Sequence, residues 1–274
     1  MTAPPGESIR RAAVLPAPAL ELRGVCKRFG NTTVLQGLSL AVPAGQSVAI
    51  IGPNGAGKST LFDLISGRTR ADAGEIWLKQ RRIDGKPAYV INRMGLSRSF
   101  QVSRVFARLS VFDNLRCAAL WSLGHGYVFW RALAGLRDVA ARANAVLGQI
   151  GLVRRATVLA GDLSYAEQRA LEFGITIVGG ADVILLDEPT AGMSRSETLH
   201  FTQLIRTLTV GKTLVTVEHD MAVVFDLAER IAVLVQGELL AYDTPAAERA
   251  DARVQAAYHG AQPQLPASPE LAPC

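Results

Sequence analysis

The sequence is poor in charged residues and in cysteine, and it has no long hydrophobic run. Charged side chains account for 19% of the 274 residues and hydrophobic ones for 49%, a balance that excludes a disordered or fibrous chain. The 25 Gly and 13 Pro are close to ordinary usage, which excludes a collagen-like or low-complexity protein. The three cysteines show no Cys-x-x-Cys spacing, so we expect a reducing compartment and no metal site.

The mean hydropathy of +0.20 is high for a soluble protein and raises the question of whether the chain spans a membrane. The absence of a long hydrophobic run argues against a spanning helix. A membrane-spanning helix needs ~20 nearly uninterrupted apolar residues. The apolar stretch 174–186 is short and contains Asp182, and the stretch 127–136 is interrupted by Arg131. The short apolar stretch near the N-terminus is broken by prolines and does not match an export signal. We therefore expect a soluble chain in the cytoplasm.

The net charge of +5 is unevenly distributed along the chain. Between Arg68 and Arg116 there are eleven Lys and Arg residues against four Asp and Glu residues. Such a stretch is typical either of a solvated face or of a surface for anionic lipid, nucleic acid or an acidic partner. The charge alone leaves these alternatives open.

Strand-like segments alternate with helical patterns along most of the chain, and a helical stretch interrupts the alternation. Three short apolar runs are typical of buried parallel strands: 47–51, 183–186 and 213–217. The pattern predicts an α/β protein with a helical insertion. Residues 1–19 and the proline-rich residues 261–274 are predicted to be a disordered extension and a tail.

The strongest motif is a glycine-rich loop between the first of these runs and a predicted helix. It matches G-x-x-x-x-G-K-[ST] in the context that the motif requires. Its glycines let backbone N–H groups cradle phosphates at a helix N-terminus, and Lys58 supplies a positive charge to the β- and γ-phosphates. Ser59 supplies an oxygen for Mg²⁺. The candidate residues for binding ATP are Gly52, Pro53, Asn54, Gly55, Ala56, Gly57, Lys58, Ser59 and Thr60.

A second motif follows about 130 residues later, where the run 183–186 ends in Asp187 and Glu188. An acid at the end of a buried strand lies at the edge of the sheet, beside the predicted phosphates. Asp187 would complete the Mg²⁺ shell, and Glu188 would act as a general base on the attacking water. His219 directly follows the run 213–217, so it either lies near the phosphates or caps the next helix.

These motifs occur in the order, and with the approximate spacing, of a known family. The segments are the glycine-rich loop, Gln101, Leu163–Gln168, Asp187–Thr190 and Glu218–Asp220. Over about residues 20–260 the chain resembles the nucleotide-binding subunit of ABC transporters. The resemblance implies a P-loop NTPase (ABC ATPase) core with an antiparallel β subdomain and an inserted α-helical subdomain at approximately 103–176.

The resemblance also implies roles for single residues. Phe29 would stack on adenine, and Gln101 would reach Mg²⁺ or the attacking water where the membrane subunits dock. Glu188 resembles the catalytic glutamate, and His219 the histidine that contacts the γ-phosphate. The signature residues Ser164, Tyr165 and Ala166 would close on the nucleotide bound by a second ATPase chain. Each complete site would then need two chains.

Several segments are similar to the ATPases of the branched-chain (hydrophobic) amino-acid uptake family: Gly95–Gln101, Ala191–Ser194, Val217–Met221 and Asp251–Gly260. This implies an importer ATPase at the cytoplasmic face of the inner membrane. Its partners would be two membrane permeases, a second ATPase chain and an extracytoplasmic solute-binding protein. The solutes would be branched-chain amino acids, urea, amides or aromatic acids. Two departures are Ala166, where the family signature has glycine, and Ser194, where Asp is usual.

Two other functions remain open at this stage. A chain whose signature carries Ala166 could be a mainly regulatory ATP-binding partner in a heterodimer. A non-transport ABC ATPase would use the basic stretch on nucleic acid. The single cassette and short insertion argue against a nucleic-acid partner, because ABC ATPases that act on nucleic acid usually carry two cassettes or a very long coiled-coil insertion.

Overall fold

Two β-sheets of different construction organise this computed structural model, which describes residues 17–99, 105–126 and 135–254. The strands are β1 (Pro18–Phe29), β2 (Thr32–Pro43), β3 (Ser47–Ile51), β4 (Ala73–Leu78), β5 (Arg81–Arg82), β6 (Leu96–Arg98), β7 (Val183–Asp187), β8 (Thr213–Val217), β9 (Arg230–Val235) and β10 (Glu238–Asp243). One sheet has the order β2-β1-β4-β5 and is antiparallel. The other has the order β10-β9-β3-β8-β7-β6 and is parallel except for β10.

The helices lie between these strands and on the parallel sheet. They are α1 (Lys58–Ile65), α2 (Ala88–Arg93), α3 (Val111–Ala119), α4 (Arg137–Gln149), α5 (Tyr165–Val178), α6 (Arg195–Leu208), α7 (Met221–Leu227) and α8 (Pro245–Ala250). The hydroxyls of Ser110, Ser164 and Ser194 accept hydrogen bonds from the third helical N–H of α3, α5 and α6. These side chains therefore fix where three helices begin.

The parallel sheet positions the predicted site. All five residues of β7 and of β8 are buried, as the continuous apolar runs predict for strands covered on both faces. Because β3, β8 and β7 are parallel neighbours, their carboxyl ends meet at one edge of the sheet. The segments that follow these strands begin at Gly52, Glu188 and Glu218. The α/β fold class predicted from the sequence is therefore correct.

Helices α3, α4 and α5 pack on one another, around buried side chains such as Leu115, Val146 and Phe173. This helical part joins the parallel sheet through Ile184 and Leu186 of β7. No helix in the described ranges is long and apolar enough to cross a membrane.

One predicted boundary was wrong. The first strand begins at Pro18, so it takes up the last two residues of the extension predicted at 1–19. Ala19 is buried in the core because β1 pairs on both sides, with β2 and with β4. The tail predicted at 261–274 lies outside the described residues.

A buried glutamate in α8 makes folding sensitive to pH. Glu248 is 4% exposed, and no side chain of the described residues pairs with its carboxylate. Burial, reinforced by Asp251 and Asp243, raises the pKa of Glu248 from 4.5 to about 7. The folded chain therefore holds this proton more tightly than the unfolded chain does. The stabilisation is complete below pH 4.5 and is lost as the pH rises to about 7.

Glu248→Gln is therefore expected to stabilise the protein by about 1–3 kcal/mol at pH 8 and to have little effect near pH 4.5. Urea unfolding at several pH values measures the difference. The control is Glu229→Gln, at an exposed glutamate, which should leave the pH dependence as in the wild type. Equal pH dependence in Glu248→Gln and the wild type would contradict this account.

Candidate functional site

The glycine-rich loop leaves β3 at the centre of the parallel sheet and enters α1. A Cβ atom on Gly52 would collide with the carbonyl oxygen of Leu234 in the neighbouring strand β9. Gly57 has φ +100° and a Cβ there would lie 2.7 Å from the Leu35 side chain. Both positions therefore require glycine. The loop brings the N-terminal N–H groups of α1 to the sheet edge, where they fit an anion such as a phosphate.

Lys58 is the buried cation of this loop. Its side chain folds back, and Nζ donates to the carbonyl oxygens of Gly52 at 2.7 Å and Pro53 at 3.0 Å. The residue is 6% exposed. Burial lowers the pKa of Lys58, while the carboxylates of Glu188 and Asp187 act in the opposite direction. An ammonium group thus lies inside the loop, where it can donate charge-assisted hydrogen bonds to a bound phosphate.

Asp187 ends β7 with its carboxylate buried beside α1. Burial raises the pKa of Asp187, and the Arg98 guanidinium opposes that shift. Arg98 donates from Nη2 to Asp187 Oδ2 at 2.9 Å and from Nη1 to Asp63 Oδ1 at 2.6 Å. The donor set of one carboxylate and the Ser59 hydroxyl suits a hard cation such as Mg²⁺. The role of Arg98 was not predicted from the sequence, although a cation in the short segment before Gln101 was a usable signal.

Glu188 and His219 meet at the ends of β7 and β8. The Nε2 atom of His219 lies 2.8 Å from Glu188 Oε1. The N–H of Glu188 donates to the carbonyl oxygen of Val217 at 2.9 Å, which continues the strand pairing by one step. Glu188 has φ +48°, a conformation that is uncommon for a side-chain-bearing residue and typical of functional sites. The structure thus brings together the predicted base and the predicted histidine.

A second buried carboxylate holds the loop that follows Glu188. Glu218 is 4% exposed, and its Oε1 accepts from the N–H of Thr190 at 3.1 Å and from its hydroxyl at 2.8 Å. Burial raises the pKa of Glu218, and these hydrogen bonds oppose the shift. No sequence pattern assigns a separate role to Glu218, because an acid after an apolar run does not reveal its partner.

The signature residues open α5 and are tied to the loop 191–194 of the same chain. Ser164 caps the helix, and Glu167 completes a capping box with it. The Tyr165 hydroxyl donates to the carbonyl oxygen of Ala191 at 2.7 Å. Ser164 is exposed and Tyr165 is 47% exposed. The first turn of α5 therefore presents N–H groups without intrahelical partners.

Ala166 stands on the side of α5 that faces α6. It is half-buried, and it lines a cavity of about 270 Å³ with Met193 and Phe201 among other residues. Ala166→Gly is therefore expected to leave ATP turnover within about two-fold of the wild type and to lower stability by about 0.5–1 kcal/mol. Steady-state hydrolysis and thermal unfolding measure the two effects. A turnover gain of ten-fold or more would instead show that the methyl group obstructs the signature.

Phe29 and Gln101 are the remaining predicted residues. Phe29 ends β1 and is 52% exposed, with Lys27 Nζ 5.2 Å from its ring centroid. Its ring face is therefore available to one further planar group. Gln101 lies outside the described residues. Ser99, two positions earlier, accepts a hydrogen bond at its hydroxyl from the N–H of Asp187 at 3.3 Å.

Three comparisons with known proteins found similar sequences and similar folds. The family model described as ABC transporter matches residues 35–191. The high-affinity branched-chain amino acid transport ATP-binding protein LivG of Salmonella typhimurium is 36% identical over 253 residues, which cover 89% of this chain and 98% of LivG.

Two solved structures share the fold. An ATP-binding cassette of an ABC transporter in its ADP conformation has a TM-score of 0.78 at 24% identity, covering 89% of this chain and 99% of that one. A dimeric ATP-binding cassette in a post-hydrolysis state with ADP and Pi has a TM-score of 0.70 at 24% identity, covering 82% and 98% of the two chains.

Proposed function

The chain belongs to the ABC transporter family of ATP-binding proteins, and we propose that it is the ATP-hydrolysing subunit of an importer for branched-chain amino acids or related small solutes. The observation that carries the proposal is the meeting of Lys58, Asp187, Glu188 and His219 at one edge of the parallel sheet. The similarity to LivG supports the import of branched-chain amino acids. Urea, amides and aromatic acids remain within the proposed range of solutes.

The loop 52–60 would hold the phosphates of ATP through its backbone N–H groups, and Lys58 would turn from Gly52 and Pro53 toward the β- and γ-phosphates. Ser59 and Asp187 would hold Mg²⁺, which when bound neutralises charge on the phosphates. Phe29 would stack on adenine, and Gln101 would reach the magnesium shell.

Glu188 would act as the general base. It would take a proton from the attacking water as the water oxygen bonds to the γ-phosphorus and ADP leaves. His219, 2.8 Å from the Glu188 carboxylate, would hold that carboxylate in its orientation toward the attacking water and would contact the γ-phosphate. Glu218, by holding Thr190, would fix the backbone that carries Glu188.

A second ATPase chain would complete each site. The exposed first turn of α5, with Ser164, Tyr165 and Ala166, would point its N–H groups and the positive end of the helix dipole at the partner's γ-phosphate. The likeness to a dimeric cassette supports this arrangement. ATP binding would favour the closed dimer, and hydrolysis would release it.

Two permeases would dock near Gln101, the residue predicted to lie at their contact surface. The chain would be peripheral at the cytoplasmic face of the inner membrane. Exposed aromatic side chains support this surface: Tyr89 is 61% exposed, Phe106 61% and Trp121 43%. The Arg93 guanidinium lies 5.0 Å from the Tyr89 ring and 3.8 Å from the Trp121 ring, so these two side chains form one patch. Clusters of this kind are typical of protein interfaces.

The basic stretch gives less support to a nucleic-acid partner than the count of charges suggested. Acids outside the stretch pair with its cations, Asp63 and Asp187 with Arg98 and Asp182 with Lys79. These cations are already neutralised within the chain. Nucleic-acid binding with a steep salt dependence would nevertheless favour the non-transport alternative.

Transport by a reconstituted complex tests the proposal. The chain would be co-purified with candidate permease pairs and a solute-binding protein, and uptake of labelled leucine into liposomes measured with ATP on the side of the chain. We expect uptake that depends on ATP and that is lost in Glu188→Gln. ATP hydrolysis that no permease pair couples to uptake of any of the proposed solutes would contradict the importer assignment.

A further inference from the structure

Arg98 is buried between the phosphate-loop helix and the strand that carries the predicted magnesium acid. Its side chain is 5% exposed. Nη2 donates to Asp187 Oδ2 at 2.9 Å, and Nη1 donates to Asp63 Oδ1 at 2.6 Å and to Ser66 Oγ at 2.9 Å. The guanidinium carbon lies 5.5 Å from the centroid of the Phe62 ring, which covers it. One planar cation thus joins β6, β7 and α1.

The α1 residues that Arg98 contacts share a face with Ser59. Asp63 lies four positions after Ser59, and Ser66 three positions after Asp63, so the three side chains stand above one another along the helix. The contacts of Arg98 with Asp63 and Ser66 therefore fix the rotation of α1 about its axis and its position along that axis. Both determine where Ser59 lies. The same guanidinium fixes the Asp187 carboxylate.

We propose that Arg98 is a positioning residue that sets the separation of two of the predicted metal ligands, Ser59 and Asp187. Arg98 Nη2 donates to Oδ2 of Asp187, so the guanidinium restrains the orientation of this carboxylate. A planar fork with several N–H donors can hold two carboxylates at once, whereas an ammonium group is a point charge that does not reproduce this geometry. This inference rests on the proposed function, since it assumes that the site holds a metal–nucleotide complex.

The residue that follows β6 makes a second contact with Asp187. The hydroxyl of Ser99, next to Arg98, accepts from the N–H of Asp187 at 3.3 Å, and the N–H of Ser99 donates to the carbonyl oxygen of Leu185 at 2.9 Å. The segment that leads to Gln101 therefore holds both the backbone and the side chain of Asp187. Partners of metal ligands that fix orientation in this way typically change metal affinity 10–100-fold when they are altered.

The test is Mn²⁺ binding, followed by electron paramagnetic resonance, to the full-length chain saturated with ADP. Arg98→Lys keeps the charge but loses the fork, and we expect Mn²⁺ to bind about ten-fold more weakly. ADP affinity in EDTA should stay within about two-fold of the wild type, because no phosphate contact changes. Asp63→Asn removes the ion pair of the guanidinium with α1 but leaves its hydrogen bond to Ser66, so it should weaken Mn²⁺ binding in the same direction by a smaller factor.

The matched control is Arg142→Lys. Arg142 is also a partly buried arginine that bridges helices, donating from Nε to the carbonyl oxygen of Val178 at 2.8 Å. We expect it to lower the unfolding temperature and to leave Mn²⁺ affinity unchanged. Arg98→Lys with wild-type or tighter Mn²⁺ binding would overturn the positioning role, whatever its unfolding temperature. A wild-type chain that binds no ADP in EDTA would instead contradict the proposed function itself.

Discussion

Glu188→Gln is expected to reduce ATP turnover by about 10²–10⁴-fold while ATP binds with nearly wild-type affinity. Glutamine has the same shape, and its amide can keep the 2.8 Å contact with His219 Nε2. It cannot accept a proton from water at neutral pH. The backbone at this position is held independently, by the hydrogen bond from the Glu188 N–H to the Val217 carbonyl oxygen. The substitution therefore removes the base and leaves the loop in place.

Steady-state phosphate release and equilibrium binding of ATP measure the two halves of this result. The control is Glu197→Gln, because glutamine can replace glutamate in the capping box of α6. That variant should turn over at the wild-type rate. Turnover close to that of the wild type in Glu188→Gln would contradict the base assignment. Loss of ATP affinity together with turnover would show that Glu188 acts on binding instead.

Lys58→Ala is expected to weaken ATP binding by about 10–100-fold. A charge-assisted hydrogen bond of this kind contributes roughly 1.5–3 kcal/mol, and ten-fold in affinity corresponds to about 1.4 kcal/mol. Lys58 is the buried ammonium of the loop, and its Nζ already lies among the loop carbonyl groups at 2.7 and 3.0 Å. No other side chain of the loop 52–60 carries a positive charge.

Fluorescence titration with an ATP analogue, in EDTA and in Mg²⁺, measures the loss. Lys212→Ala is a matched control, because Lys212 Nζ also donates to a carbonyl oxygen, that of Ala181 at 2.6 Å. Lys212 directly precedes β8, so it lies at the amino end of that strand and away from the loop. Both variants lose a lysine–carbonyl bond, but only Lys58→Ala should lose nucleotide. Unchanged ATP affinity in Lys58→Ala would count against the phosphate role of the loop.

The sequence was sufficient for the parts of the site that local patterns encode. The glycine spacing before Lys58 and the apolar run before Asp187 are short-range signals, and both strands have the predicted places in the sheet. The contact of Glu188 with His219 could be anticipated from the sequence, because each residue follows the end of a predicted strand. It became a defined 2.8 Å contact only when β7 and β8 were seen to be neighbours.

The contacts that the sequence could not reveal are those between side chains far apart in the chain. Arg98 and Asp187 are separated by 89 positions, and Thr190 and Glu218 by 28. Each pair depends on strand order and on how deeply the groups are buried, which no spacing rule contains. For the same reason, the count of charges between Arg68 and Arg116 could not show that acids from other elements pair with some of these cations.

The central claim is that one edge of the parallel sheet both binds ATP and cleaves it. It is tested most directly by incubating the wild type and Glu188→Gln with Mg²⁺ and ATP labelled on its γ-phosphate, re-isolating each protein and identifying the bound nucleotide. We expect ADP on the wild type and intact ATP on Glu188→Gln. Intact ATP on both proteins, or no nucleotide on either, would contradict it.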